Sequence, residues 1–575
     1  MKKGIQRGFV RFGLSLVALC AAGVAQAEVP GLTRTKVIGY GWDLKVSTPA
    51  ELIENAAAFD ASGLDGVGVN ITGVREDGSV YNLRKSTALE KWNREMLAAH
   101  VPYLRQFASH RGLRESLIVT LFQPGKRLDW HDDAQWAVFA GNMGLLAWLA
   151  REGGLKGLMI DNEDYPKQRQ WFYDAARDGD DYDRLCALSR QRGREFGRAM
   201  FEAYPDMTLM FFFLLTEERG YFTASDPAVL KREKGDLWPA FVDGLVDVMP
   251  DGVKFVDGDE HAYPCDAENF DFYRHAWNQR YGTAALLAPE NRDRYVRHLS
   301  VSGGLYLDMY ANTNAASFWY FGPGPDGTRT SKFVSNLFQA TRVASDYTWL
   351  WGEKRQYINW RADAPHVRAG KDSHFTALRA AGCPTWNDAI PGLTTALRAR
   401  ADPEGFARTA LAADDAMGRK GELLPEGRWK VWLDGRRSKG WSGYDAADRP
   451  RGVAGESLVL SNVVRGCFIK DVPVLPGQLF AVGGRIKGRG AISVAWSRGD
   501  KQLAESRVYR LPLGDPDADG WRTGATVVCV PPGADKLCVH PGSGHLRDKG
   551  EVTKFADLRV VRIGFEGNPG ISRGE

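Results

Sequence analysis

The sequence predicts an α/β chain in which a (β/α)8 TIM barrel is followed by an all-β sandwich. Three observations predict it. From residue 37 to 353 short apolar runs alternate with longer helix-like stretches; acids, amides and aromatics gather at the C-terminal ends of those runs; and from about residue 420 the texture changes to short alternating runs cut by Gly, Pro and Asp. A chain of 575 residues exceeds one ordinary domain. The division expected is 1–27 as a leader, 28–355 as the barrel, 356–418 as a helical closing and linking segment, and 419–575 as the β-sandwich.

The barrel elements follow in order. The strands expected are Val37–Gly41, Gly66–Asn70, Ser116–Phe122, Gly157–Glu163, Thr208–Leu215, Val253–Glu260, Gly304–Tyr310 and Tyr347–Glu353, short apolar runs suited to burial on both faces. Between them fall helical stretches at Pro49–Ala61, Ala88–His110, Ala134–Arg151, Tyr182–Ala203, Trp238–Val248, Glu268–Arg280 and Ser331–Ser345. Thr48-Pro49 and Asp133-Ala134 read as helix starts. Trp386–Arg400 and Pro403–Ala416 continue as helices. The β-region strands expected are Ser457–Val463, Leu479–Ile486, Ala491–Ser497, Arg507–Leu511, Thr523–Val530 and Lys536–His540. An open doubly wound sheet is the rival for the first part, but no Gly-rich phosphate fingerprint follows its first strand.

Composition narrows the function. Lys2, Lys3, Arg7 and Arg11, then apolar Leu14 to Val24, then Ala25-Gln26-Ala27, have the pattern of a secretory signal, so a secreted or periplasmic protein cut after Ala27 is expected. The leader holds four basic residues and no acid, so the remainder carries 71 of each sign and offers no electrostatic case for nucleic acid. No later segment approaches the twenty uninterrupted apolar residues of a membrane span. Neither a zinc-like cysteine spacing nor a His-rich metal set is found, and no cofactor is expected. Cys529 and Cys538 flank a turn and could either bridge or remain buried thiols. Of 18 Trp, 13 precede residue 400, a richness that fits sugar rings stacking on indoles, although large cores also use Trp.

Barrel enzymes carry their chemistry at the C-terminal ends of the strands. Here those ends offer Trp42 and Asp43, Asn70, Gln123, Asp161 and Glu163, then Glu217 and Glu218, then Asp257, Asp259, Glu260 and His261, then Asp308 and Tyr310, and finally Trp351 and Glu353. Such a carboxylate-rich rim suits hydrolysis of a glycosidic bond, which needs one carboxyl to protonate the leaving oxygen and a second to attack, activate water or stabilise the cationic transition state. Asp161 and Glu163 share a face if the strand runs through both, and like-charge repulsion then raises the Glu163 pKa and makes it the proton donor. Asp161 or a strand-six carboxylate, Asp257 or Asp259, is the expected catalytic partner. Trp42, Tyr310 and Trp351 are expected to stack on the substrate, and Asp43, Asn70, Gln123, Glu260, His261, Asp308 and Glu353 to bind it. The expected substrate is a polysaccharide or oligosaccharide; the alternative is a barrel that binds polysaccharide without cleaving it.

Residues 157–166, Gly-Leu-Met-Ile-Asp-Asn-Glu-Asp-Tyr-Pro, resemble the fourth-strand motif of the chitinase and endo-N-acetylglucosaminidase family, as Lys36–Tyr40 resembles its first strand. The resemblance implies Glu163 as the acid and Asp161 as the group that orients a substrate acetamide. Met159 departs from that family's Asp, and Asp164 is inserted before Tyr165. The stretches 474–480, Gly520-Trp521, 530–534 and 555–560 resemble jelly-roll carbohydrate-binding modules, which implies a jelly roll for the β region. A likeness to secreted barrel glycosidases extends over about the first 355 residues.

Overall fold

The computed structural model describes residues 35–45, 47–75, 77–86, 90–122, 127–164, 169–179, 181–360, 384–424, 429–433, 457–461, 466–503, 509–543 and 551–565. The expected leader, Gln123, Tyr165, Pro166, Cys383 and Trp441 lie outside them. Two compact units divide the chain: one combines Arg34–Gly322 with Asn336–Ile390, the other Pro323–Ser335 with Pro391–Glu575.

The first unit is an α/β barrel-like domain built on nine parallel strands: β1 (Lys36–Gly41), β2 (Gly66–Val69), β3 (Leu117–Leu121), β4 (Gly157–Asp161), β5 (Thr208–Phe211), β6 (Lys254–Asp257), β7 (Leu299–Val301), β8 (Gly304–Tyr306) and β9 (Tyr347–Gly352). Their order is β8-β9-β1-β2-β3-β4-β5-β6-β7, with every neighbouring pair parallel. The two outermost strands are consecutive in the chain, separated by Ser302 and Gly303 alone. The sheet also curls on itself. Five places in the order separate β5 from β9, about 24 Å across a flat sheet, yet the ring of Phe212, the residue after β5, lies 4.8 Å from that of Trp349 in β9.

These strands form because their residues are apolar on both faces: every residue of β2, β4 and β5 is buried. Helices cover them. Asp132 caps α1 (Asp133–Glu152) by accepting from the Gln135 amide at 3.0 Å, and Asp181 caps α2 (Tyr182–Ala203) through the Arg184 amide at 2.8 Å. Helix α3 (Trp238–Val248) starts with Pro at its first turn and packs on α2 where glycines meet. A Cβ on Gly193 would stand 2.1 Å from the Phe241 carbonyl, and one on Gly244 2.0 Å from that of Arg190. Much of the Trp richness is spent here. Trp136, Trp171 and Trp238 pack with Phe122, Phe139, Phe196 and Phe241 in one buried aromatic layer.

Several expected boundaries move. Strand β4 stops at Asp161 and β6 at Asp257, so Glu163, Asp259 and Glu260 stand in the following loops. The expected strand Gly304–Tyr310 ends at Tyr306, where the chain turns into the helix Leu307–Ala311, and Leu299–Val301 is an additional strand segment. Among the described residues of Ala88–His110 the helices are Arg94–Ala98 and Val101–Ser109. Trp386–Arg400 is broken at Gly392, whose φ of 94° lies in the left-handed region.

The second unit contains two antiparallel sheets. Strands β10 (Lys430–Leu433), β12 (Gly466–Pro473), β16 (Lys536–Ser543) and β14 (Ala491–Arg498) run in that order, extended by Lys501–Gln502; the other sheet is β11 (Leu458–Ser461), β17 (Val552–Arg562), β13 (Leu479–Lys487) and β15 (Trp521–Cys529). Alternation of apolar and polar residues, clean in β12, lets both sheets bury one face in a common core that includes Phe468, Phe480, Trp496, Val539 and Phe555. Helix α4 (Pro403–Ala416) is fastened to β17 by Arg559, which pairs with Asp414, Asp415 and Glu422. Cys529 and Cys538 sit in different sheets as free thiols.

Candidate active site

The acid at the end of β4 is held from a neighbouring turn. Asn82 accepts from the Arg84 amide at 2.9 Å, capping the short helical turn Leu83–Lys85, and Arg84 Nη2 donates to Asp161 Oδ2 at 3.1 Å. Asp161 is thus a buried, ion-paired carboxylate beside the Tyr40 phenol, whose pKa is raised chiefly by burial, with Arg84 opposing and Asp161 adding. Its other oxygen accepts from the Glu163 amide at 3.4 Å. Glu163 is half-buried, two residues past the end of β4.

The loop after β6 sorts three adjacent acids into two environments. Asp257 is fully buried and accepts from the amides of Leu214 and Leu215 at 3.1 Å each and from the Thr216 hydroxyl at 2.8 Å. Burial and the neighbouring Asp259 push its pKa up. Asp259, with a left-handed φ of 43°, is also fully buried and accepts from His275 Nδ1 at 2.7 Å and Gln279 Nε2 at 3.0 Å. The backbone turn at Asp259 delivers Glu260 to a different set of neighbours. Its Oε1 accepts from the Tyr263 hydroxyl at 2.8 Å. Burial holds the Glu260 pKa well above the usual carboxylate range; the charge of Glu163 adds to this, with smaller pushes from Asp161 and Glu353.

The remaining acids come from the ends of β8 and β9. Trp351 Nε1 donates to Glu353 Oε1 at 3.1 Å, and the Glu353 amide donates to Asp308 Oδ2 at 2.8 Å. Burial lifts Asp308 to about 6. Tyr306 contacts Glu353 and lies 5.3 Å, ring to ring, from Tyr263. Trp351 is 5.3 Å from the Tyr40 ring. Asp161, Glu163 and Glu353 are therefore close enough for their charges to act on Glu260, with Arg84, Tyr263, Tyr306 and Trp351 supplying donors and aromatic surface.

Other expected residues are placed elsewhere. Asp257 spends its oxygens on the loop after β5, and Asp259 spends Oδ2 on His275 and Gln279. Asp43 is fully buried and accepts from the Tyr357 amide at 2.8 Å and Trp360 Nε1 at 3.2 Å. Asn70 is buried and donates to the Lys45 carbonyl at 2.7 Å. Tyr310 is a core residue, its hydroxyl accepting from Asn336 at 2.8 Å and its ring packed on Phe321. Trp42 is half-buried in the turn Trp42–Lys45. His261 bonds the Glu217 carbonyl oxygen at 2.6 Å and packs on Phe213.

Arg84, Tyr263 and Tyr306 were not among the expected site residues, because nothing in their local sequence announces a strand tip. Glu217 was visible beyond the fifth strand but without a role. Its pKa is raised to about 8, first by burial and then by Asp236, Asp164 and Glu163.

No family model matches the chain, and no curated protein matches it. Solved structures similar to parts of it include sugar-processing barrel enzymes and carbohydrate-binding modules. The enzymatically active domain of a bacteriophage CBA120 tailspike protein shares 17% identity over 24% of this chain, at a TM-score of 0.17, and the chain spans only 19% of it. A carbohydrate-binding module of the CBM4 type shares 16% identity over 23% of this chain and 86% of its own, at a TM-score of 0.17. The 3-keto-D-glucoside 4-epimerase of E. coli shares 14% identity over 60% of this chain and 100% of its own, at a TM-score of 0.28.

Proposed function

We propose that the protein is an exported glycoside hydrolase, with a (β/α)8 catalytic barrel and a jelly-roll domain that grips the same glycan. The observation that carries the reading is the Glu260 carboxyl, whose pKa is raised first by burial and then by the charge of Glu163. Two carboxyls whose surroundings drive their charge states apart are what acetal hydrolysis requires. Glu260, half-buried and held by Tyr263, has its pKa raised and gives its proton to the leaving oxygen. In this reading Glu163 is the second carboxyl, which attacks the anomeric carbon or activates water. This exchanges the roles expected from the sequence, in which Glu163 was the acid, because the burial and neighbouring charges that raise a carboxyl converge on Glu260.

Asp161, neutralised by Arg84, orients a sugar hydroxyl or amide. Trp351 and Tyr306 offer faces to the ring, and Asp308 and Glu353 accept from its hydroxyls. The test is cleavage of a panel of polysaccharides by the purified chain, with products separated by chromatography. E260Q and E163Q should each lower turnover by about 10²–10⁴-fold while leaving polysaccharide binding in place. Unchanged turnover in E260Q sinks the assignment of the acid, and binding with no cleavage by the unaltered protein sinks the hydrolase.

A further inference from the structure

A separate cavity of about 230 Å3 is walled by the loop after β4 (Asp164, Arg169, Phe172), the loop after β5 (Leu215, Glu217, Glu218, Tyr221), the start of α3 (Trp238, Pro239) with Asp236, and Leu286. Its walls are mixed. Leu215, Pro239, Leu286, Phe172 and Trp238 present carbon, and Arg169 lays its guanidinium over the Phe172 ring at 4.5 Å.

Four acids also line it, and three are already occupied. Asp164 accepts from the Gln170 and Trp171 amides at 3.0 and 2.8 Å. Glu218 accepts from the Gly220 amide at 2.8 Å and pairs with Lys234 at 2.6 Å. Asp236 accepts from the Tyr221 hydroxyl at 2.6 Å and the Trp238 amide at 3.0 Å. The Glu217 side chain differs: among the described residues its hydrogen bond is one contact from the Asp164 amide, 3.3 Å long. A carboxyl holding one long hydrogen bond on the wall of a cavity keeps capacity for a ligand.

We propose that this cavity is a subsite for one neutral sugar unit, bound through hydroxyl hydrogen bonds to Glu217 and through its C–H face to Trp238 and Phe172. The inference rests on the glycan-acting reading above. Carbon walls with a few convergent polar groups match a pyranose, which is apolar on its faces and polar at its edge. The volume accommodates one ring and not a longer chain. A cationic amino sugar is disfavoured, because three of the four acids are already neutralised or hydrogen-bonded within the protein. Asp164, which follows Glu163 in the chain, lines the cavity and donates its amide to Glu217, so the subsite adjoins Glu163.

Titration calorimetry of the full chain with D-glucose, D-galactose, D-mannose and D-glucosamine tests this, alongside saturation-transfer NMR for contacts between sugar C–H groups and aromatic protons. At least one of the three neutral hexoses should bind saturably. E217A, which removes the polar contact, and L286F, which narrows the cavity, should each weaken it about tenfold, the scale of one lost hydrogen-bonded contact. Thermal melts report whether each variant folds, and either one alone decides the matter if the other does not. Absence of saturable hexose binding, binding untouched by the folded variants, or tighter binding of D-glucosamine than of every neutral hexose would overturn the inference. Hexose binding without polysaccharide cleavage would fail the hydrolase reading alone, and cleavage without hexose binding would fail the subsite alone.

Discussion

Tyr263 donates to a carboxyl whose pKa burial raises, and that single bond makes a sharp pH prediction. A hydrogen bond to the charged form favours ionisation, so Tyr263 holds the Glu260 pKa lower than burial alone would set it. If Glu260 is the acid, kcat/KM falls as pH rises through its elevated pKa. Y263F removes the restraint, so the alkaline limb should move to higher pH; a merely structural tyrosine would lower the rate without moving the limb. Glu217 makes a second prediction, on stability. Its ordinary value of 4.5 becomes about 8 in the fold, so the unfolded chain ionises first. Its contribution to stability is full below 4.5 and is lost as pH rises through about 8. E217Q should flatten that decline, with a melting temperature at pH 8 above that of the unaltered chain. At this scale the sequence was half legible. Asp161, Glu163, Glu260 and Glu353 announce themselves as acids at strand ends, whereas Arg84 reaches Asp161 across 77 positions of chain, a distance that no local pattern encodes.

Elements were legible where periodicity ran long and blurred where a tip changed conformation. Tyr182–Ala203, Trp238–Val248 and Pro403–Ala416 lie where apolar spacing and caps predict. The apolar run of β4 gives its start, but nothing in Asp-Asn-Glu-Asp reveals that pairing ends at Asp161. Leu307–Ala311 is apolar enough to read as strand, yet it coils because the chain after β8 turns at once into helix. The meeting of α2 and α3 rests on backbone contact at Gly193 and Gly244, so added side chains have no flexible neighbour to displace. G244A should cost about 1–3 kcal/mol in urea unfolding, more than a surface Gly→Ala change, which would ordinarily stabilise a helix.

For the whole molecule, each unit has a core of its own; the texture changes near residue 420, whereas the second unit takes in Pro323–Ser335 and the chain from Pro391. The Trp count misled in part: Trp136, Trp171, Trp349 and Trp386 are core residues with almost no exposed surface, because indoles fill large interiors as readily as they bind sugars. Arg559 tests the independence of the units. It is buried against the fully buried Asp414, and R559A would strand that charge, at about 3 kcal/mol or more. Calorimetry should then show the transition of the β unit at lower temperature, with the transition of the first unit unchanged. Export is checked separately: mass spectrometry of protein recovered outside the cytoplasm should find Glu28 at its N-terminus.

Asp257 gathers the amides of Leu214 and Leu215 and the hydroxyl of Thr216 onto one carboxylate, just before Glu217. This segment belongs to no sheet ladder, yet its amides are locked inside the protein. Its consequence belongs to time rather than to geometry. In hydrogen exchange Leu214 and Leu215 should keep their protons as long as strand amides do, and D257N should release them early. Glu217 would then wait for its ligand already in place, so that binding proceeds in one fast phase with no slow ordering step behind it.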